Sequence, residues 1–157
     1  MNLSVIMAQL GMSLPLMLGA LGSTLGILAT GRAAMGEWSK EGRSGKTLRF
    51  GYIIFAAMPL SQMIYGFVFT LLGLKAPILE GGELALSQGF TLFGFGLTCG
   101  VIELVSAWGQ GILGAAGCRT LSDGDGKGMA FIIVAMGIIE TVGLFGFVLG
   151  YLLLPVG

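Results

Sequence analysis

The chain has no histidine, two cysteines, and only eight Lys/Arg and eight Asp/Glu among its 157 residues. Each scarcity excludes something. A soluble domain of this length needs far more surface charge than 10%. Without histidine, and with Cys99 and Cys118 outside any metal-ligand spacing, there is no donor set for a transition metal. The two cysteines read as small apolar fillers and carry no redox information. There is no basic patch, since only one short loop holds as many as four Lys/Arg, so nucleic acid is not an expected partner. No G-x-x-x-x-G-K-[ST] pattern occurs, so the chain is not expected to hydrolyse a nucleotide and is read as non-catalytic.

What remains is apolar and rich in glycine: 55% hydrophobic residues and 29 glycines. Residues 1–31 and 50–74 hold no Asp, Glu, Lys or Arg. The region 84–118 is interrupted only by Glu103, and 128–157 only by Glu140. About 20 apolar residues cross a bilayer as a helix. The sequence therefore predicts an all-α membrane protein with four transmembrane helices in one domain, 1–157. Continuous rather than alternating apolar runs argue against a membrane β-barrel. Residues 3–31 lack a basic n-region and a small-residue cleavage site, so they are read as a retained helix rather than a signal peptide.

The breaks are expected at 37–50, 75–83 and 118–128. Loops 37–50 and 118–128 hold six of the eight Lys/Arg. The positive-inside rule places both in the cytoplasm, with the termini and loop 75–83 outside. The "SDGDGKG" stretch (122–128) is too short for a calcium loop and lacks the later Glu, so it reads as a turn.

The chain also repeats itself. "GRAAMG" (31–36) aligns with "GQGILG" (109–114) at an offset of 78, bringing Gly11 onto Gly89, Leu14 onto Leu92 and Gly22 onto Gly100. "YGFV" (65–68) meets "FGFV" (145–148) at an offset of 80. This is a duplicated helical hairpin, with repeat one at 1–74 and repeat two at 84–157. Two helices per repeat give both copies the same topology. Parallel repeats suit a ring better than an alternating-access carrier built on inverted repeats. Rows of small residues in helices one and three (Gly22, Gly26, Ala29, Ala33, Gly36; Gly96, Gly100, Ala107, Gly111, Ala115) allow close backbone approach. They make a tight inner layer, with bulkier helices two and four toward lipid.

Glu140 lies well inside the fourth run, where a charge costs at least ~2.5–3.5 kcal/mol. Such a group is functional by default. Helix two offers "MPLSQMIY" (58–65): Ser61 and Tyr65 share a face, Gln62 flanks it, and Pro59 lacks the N–H that would bond the Phe55 carbonyl. Counted from the loop ends, Ser61, Gln62, Gln110 and Glu140 fall at one level. Carboxylate, amide, hydroxyl and carbonyl oxygens with one negative charge suit a dehydrated monovalent cation; a proton alone needs only the carboxylate.

The residues "PLSQMIYGFV", "GQG" and "ETVGLFGFV" resemble the proteolipid rotor-ring subunit of V-type and bacterial A/V-type rotary ATPases, over nearly the whole chain. The resemblance implies a homo-oligomeric ring in the cell membrane, turning against a stator membrane subunit and a central stalk subunit, the latter touched through loop 37–50. It implies Na+, or H+ alone, carried on Glu140. In sodium-translocating members the remaining ligands correspond to Ser61, Gln62, Gln110 and the Met58 backbone carbonyl, with Tyr65 hydrogen-bonding the glutamate. Ser61 stands where threonine is more frequent, which keeps the hydroxyl.

Two residues stand apart. Glu103, seven before Gln110, departs from the family pattern. It reads as a protonated acid facing the ring lumen, a contact between protomers, or a second ion-handling group, with a structural role favoured. Arg32, the repeat partner of Gln110, is expected to reach the interface by snorkelling. The rival functions are a small proton-coupled secondary transporter of four helices and a membrane scaffold or pore-former without transport.

Overall fold

The computed structural model describes residues 2–75, 78 and 83–154. Four helices are long and apolar enough to cross a membrane: α1 (Leu3–Arg43), α2 (Gly51–Leu74), α3 (Leu86–Asp123) and α4 (Met129–Leu152). There is no strand among the described residues. Of the expected loop 75–83, residues 76, 77 and 79–82 lie outside the described set.

Two helices run further than the charge pattern suggests. The segment 37–50 reads as loop in the sequence, yet α1 stays helical to Arg43. Likewise α3 continues to Asp123 rather than stopping at 118. The reason is that loss of apolar character ends a membrane span, not a helix. The residues in 37–43 are mostly helix formers, and the chain turns only at Ser44–Gly45, where Gly45 takes φ +67°. At 1.5 Å per residue the 41 residues of α1 reach about 60 Å, roughly twice the hydrocarbon thickness. The end bearing the first and third connections therefore stands clear of the apolar layer.

α1 and α3 run parallel, backbone against backbone. A Cβ on Gly22 would come within 2.5 Å of the Leu104 Cα, and one on Gly100 within 2.8 Å of the Leu14 carbonyl. Cβ atoms on Gly96 or Gly111 would collide with the backbone of Gly11 or Gly26. Thr30 Oγ1 donates to the Gly111 carbonyl at 2.9 Å, an interhelical bond of the kind worth about 0.6–2 kcal/mol in lipid. The small-residue row expected on α1 holds at Gly22 and Gly26 but not at Gly36, which faces open space. Toward the loop end the contact passes to Ala34 instead. A 3.6-residue period rotates a fixed row away from the partner over several turns.

α2 and α4 are the bulkier pair. Ile53, Ile64, Phe67, Phe131, Val134, Ile138 and Phe145 all point outward. Two apolar clusters close the interior above and below the middle of the membrane. Toward the loops Ala34, Tyr52, Phe55, Cys118, Leu121 and Met136 pack together. Toward the termini Ala8, Phe69, Leu74, Leu92 and Cys99 do the same. Both cysteines are free and buried, as filler residues should be.

The turns at the loop end are tied by charge. Buried Glu41 accepts from Tyr52 at 2.6 Å, from the Arg49 backbone N–H at 3.1 Å, and from the Arg49 guanidinium. Asp125, at φ 51°, bridges Arg49 (2.7 Å) and Lys46 (3.1 Å), and Lys40 reaches Asp123 at 2.7 Å. The "SDGDGKG" stretch is thus a turn whose acids face lysine and arginine. The Lys46 ammonium, then the Arg49 guanidinium, hold the Asp125 carboxyl below its ordinary pKa.

Candidate cation site

The helical ladder of α2 breaks around Pro59. Residues Met58–Leu60 tighten into a 3₁₀ turn before regular helix resumes at Ser61. Because proline has no N–H, the local carbonyls turn from the ladder. The Met58 carbonyl takes the Ser61 N–H and lies 3.1 Å from Ser61 Oγ. Ser61 Oγ is also 3.1 Å from Gln62 Oε1. One hydroxyl hydrogen cannot satisfy two acceptors, so three oxygens crowd together with a single proton among them.

Glu140 is half-buried on α4. Its Oε1 accepts from Tyr65 OH at 3.1 Å and its Oε2 from Gln110 Nε2 at 3.3 Å. Tyr65 is held in place by a stacked Phe147, with ring centroids 6.0 Å apart. Gln110, fully buried on α3, also donates to the Met136 carbonyl at 3.2 Å, and its Oε1 accepts from Gln62 Nε2 at 3.3 Å. All six residues singled out in the sequence, Met58, Ser61, Gln62, Tyr65, Gln110 and Glu140, therefore belong to one hydrogen-bonded cluster contributed by α2, α3 and α4. As placed, Gln110 turns its N–H to the carboxylate and its carboxamide oxygen to Gln62. Among the described residues no Lys or Arg comes within 4 Å of the Glu140 carboxylate.

One member does not emerge from the sequence. Ser106 Oγ accepts from Gln62 Nε2 at 3.1 Å and donates to the Ile139 carbonyl at 2.9 Å, so it positions Gln62 against α4. Its spacing four before Gln110 puts both on one face of α3, which is the available signal. Glu103 is also placed. It is wholly buried inside the single chain. It faces neither a ring lumen nor a neighbouring protomer, which removes two of the readings open from sequence. Arg32 is exposed, as snorkelling requires.

The sequence pattern of the ATP synthase C subunits matches residues 10–72 and 93–153, once in each half of the chain. The chain belongs to this family. Its members form rings, so the all-helical duplicated hairpin is a ring-forming membrane unit. The V-type sodium ATPase subunit K of Enterococcus hirae is 29% identical over 153 residues, covering 97% of this chain and 92% of the relative. The A-type ATP synthase subunit K of Methanocaldococcus jannaschii is also 29% identical over 153 residues, but this chain spans only 62% of that protein's length. The family match gives no support to the small secondary transporter.

Proposed function

We propose that this chain is the rotor-ring subunit of a V-type or A/V-type rotary ATPase, and that each copy carries one Na+ on Glu140 during rotation-coupled translocation. The observation that carries the reading is a carboxylate at membrane depth held only by neutral donors, beside three oxygens that share one hydrogen. A cation entering there finds a negative charge and several hard oxygens. The donor set fits: Glu140, Ser61 Oγ, Gln62 Oε1 and the Met58 carbonyl supply oxygen directly, and Gln110 does so once its carboxamide turns over. Tyr65 keeps the carboxylate aimed. The sodium ATPase relative favours Na+ over H+ alone.

Loaded, the site is neutral and passes through lipid at low electrostatic cost. Opposite a stator subunit, a competing cation draws the carboxylate away and the ion leaves. Loading and release through offset access paths convert ion flow into rotation. The turns within 37–50 and 118–128 face the cytoplasm, with the first nearest the central stalk, and the termini lie outside. The ring sits in the cell membrane.

The test is labelling of purified rings with a hydrophobic carbodiimide, with the modified residue mapped by mass spectrometry. Label should fall on Glu140 and Na+ should suppress it. Label chiefly elsewhere sinks the site assignment, and indifference to Na+ leaves a proton-only ring.

A further inference from the structure

Between α3 and α4, toward the termini, an apolar groove of about 480 Å³ lies open. Phe145, Leu149 and Leu153 wall it on α4, and Thr98, Cys99 and Ile102 on α3. The three α4 residues are exposed. Leu149 comes nine residues after Glu140, so the groove lies half a turn round α4 from the carboxylate.

The duplication indicates what fills it. Shifted by the offset of 80, the α2 residues Tyr65, Phe69 and Gly73 fall on Phe145, Leu149 and Leu153. Inside the chain, α4 covers those three α2 residues. Tyr65 stacks on Phe147 with ring centroids 6.0 Å apart. The Phe69 ring stands 3.1 Å from where a Cβ on Gly150 would lie, and a Cβ on Gly73 would lie 3.4 Å from the Tyr151 ring. The same offset takes Phe147 and Tyr151 back to Phe67 and Leu71, which are also exposed. Phe67 lies about 200° round α2 from Tyr65, the residue that meets α4, so one chain cannot fold its own Phe67 into its own groove. A second copy can. Repeats related by an axis along the membrane normal, in a ring-forming family, continue the internal contact head to tail from copy to copy.

We propose that α2 of one copy seats Phe67 and Leu71 in the α3–α4 groove of the next, with Phe67 stacked on Phe145 and Leu71 against Leu153. The contact is an apolar twin of the one around Glu140. Phe145 stands for Tyr65 and has no hydroxyl, Leu60 stands for Glu140, and Val142 for Gln62. It joins the copies by packing alone and holds no ion. Lipid would account for an apolar lining, but not for three lining residues in register with three that α4 covers inside the chain. The inference uses the ring and nothing of the ion on Glu140, so the two readings fail separately.

The test begins with Cys99 and Cys118 replaced by alanine. Phe67→Cys and Phe145→Cys are placed in separate chains and co-expressed, and intact rings in native membranes are oxidised with copper phenanthroline. Covalent dimers are expected and nothing larger. With both substitutions in one chain, a ladder of higher multimers should appear, and either substitution alone should leave monomers. A doubly substituted chain that stays monomeric, or dimers equally abundant from Phe145→Cys alone, overturns the proposed pairing. Wild-type rings supply a second reading should the cysteine chains fail to assemble. A phospholipid with a photoactivatable acyl chain should label Leu72 and Leu152, both exposed, and spare Phe67, Phe145 and Leu149. Label on those three would mean that lipid occupies the groove, and the proposal would fall.

Discussion

Gln110 Nε2 donates to Glu140 Oε2 at 3.3 Å across the α3–α4 interface. The same side chain takes a hydrogen bond from Gln62 on α2 and gives one to the Met136 carbonyl on α4. It is the group through which three helices agree on the position of one carboxylate. Replacing it by leucine keeps the volume and removes every one of those bonds. Partners of this kind typically change metal affinity 10- to 100-fold. For Gln110→Leu the Na+ concentration that half-protects Glu140 from carbodiimide is expected to rise by roughly that factor. An unchanged protection curve would remove Gln110 from the site.

Tyr65 separates two roles that sit on one ring. Its hydroxyl bonds Glu140 and its face stacks on Phe147. Tyr65→Phe deletes the first and keeps the second. A hydrogen bond to a charged group contributes about 1.5–3 kcal/mol when lost outright, and water or Ser61 recovers part of it. The expected result is Na+ affinity about fivefold to tenfold lower, with ring size and thermal stability unchanged in detergent. A fall in stability without a change in affinity would make Tyr65 a packing residue.

The loop-end clamp makes a pH-dependent prediction. Asp125 bonds Lys46 and Arg49, and both partners hold its folded pKa below the ordinary value. A depressed acid contributes stability that is present above its unfolded pKa, near 3.9, and is lost as pH falls through the lower folded value. Asp125 is exposed, so the effect is small and is weakened by salt. Wild-type rings should therefore lose slightly more thermal stability than Asp125→Asn rings on acidification below about pH 4. Parallel curves for the two proteins would show that the clamp does not contribute.

Much of this is legible because the bilayer narrows what a residue can be doing. Four apolar runs dictate four helices, and an acid at membrane depth requires partners, so Glu140 leads to Ser61, Gln62 and Gln110 by level, while the bond from Tyr65 to Glu140 is implied by the family resemblance and not by spacing. Helix ends are less legible. Glu37–Arg43 and Arg119–Asp123 are charged yet helical, because hydropathy reports the edge of the membrane and not the end of the hydrogen-bond ladder. Ser106 escapes notice since serine is common as interhelical glue. Its meaning depends on Gln62 facing it across α2 and α3, a relationship sequence spacing within one helix does not encode. Glu103 can be seen but not placed. Its direction around α3 relative to α4 depends on how close the missing side chain of Gly143 lets the two helices come.

Two glycines on the small-residue rows should answer differently to one methyl group. Gly111 lies against Gly26, so a Cβ there meets the Gly26 backbone, and backbone cannot rotate away as a side chain can. The substitution would also push back the carbonyl that Thr30 bonds. Gly36 has nothing within 4 Å of a Cβ. Gly111→Ala is expected to cost about 1–3 kcal/mol by overpacking and to lower the temperature at which solubilised rings dissociate. Gly36→Ala should leave that temperature level or raise it slightly, since alanine favours helix over glycine by up to about 1 kcal/mol. The pair controls for helix propensity, which changes the same way in both. Equal responses would mean that α1 and α3 do not touch along their backbones. The level of Gln110 would then have to be fixed by some other contact.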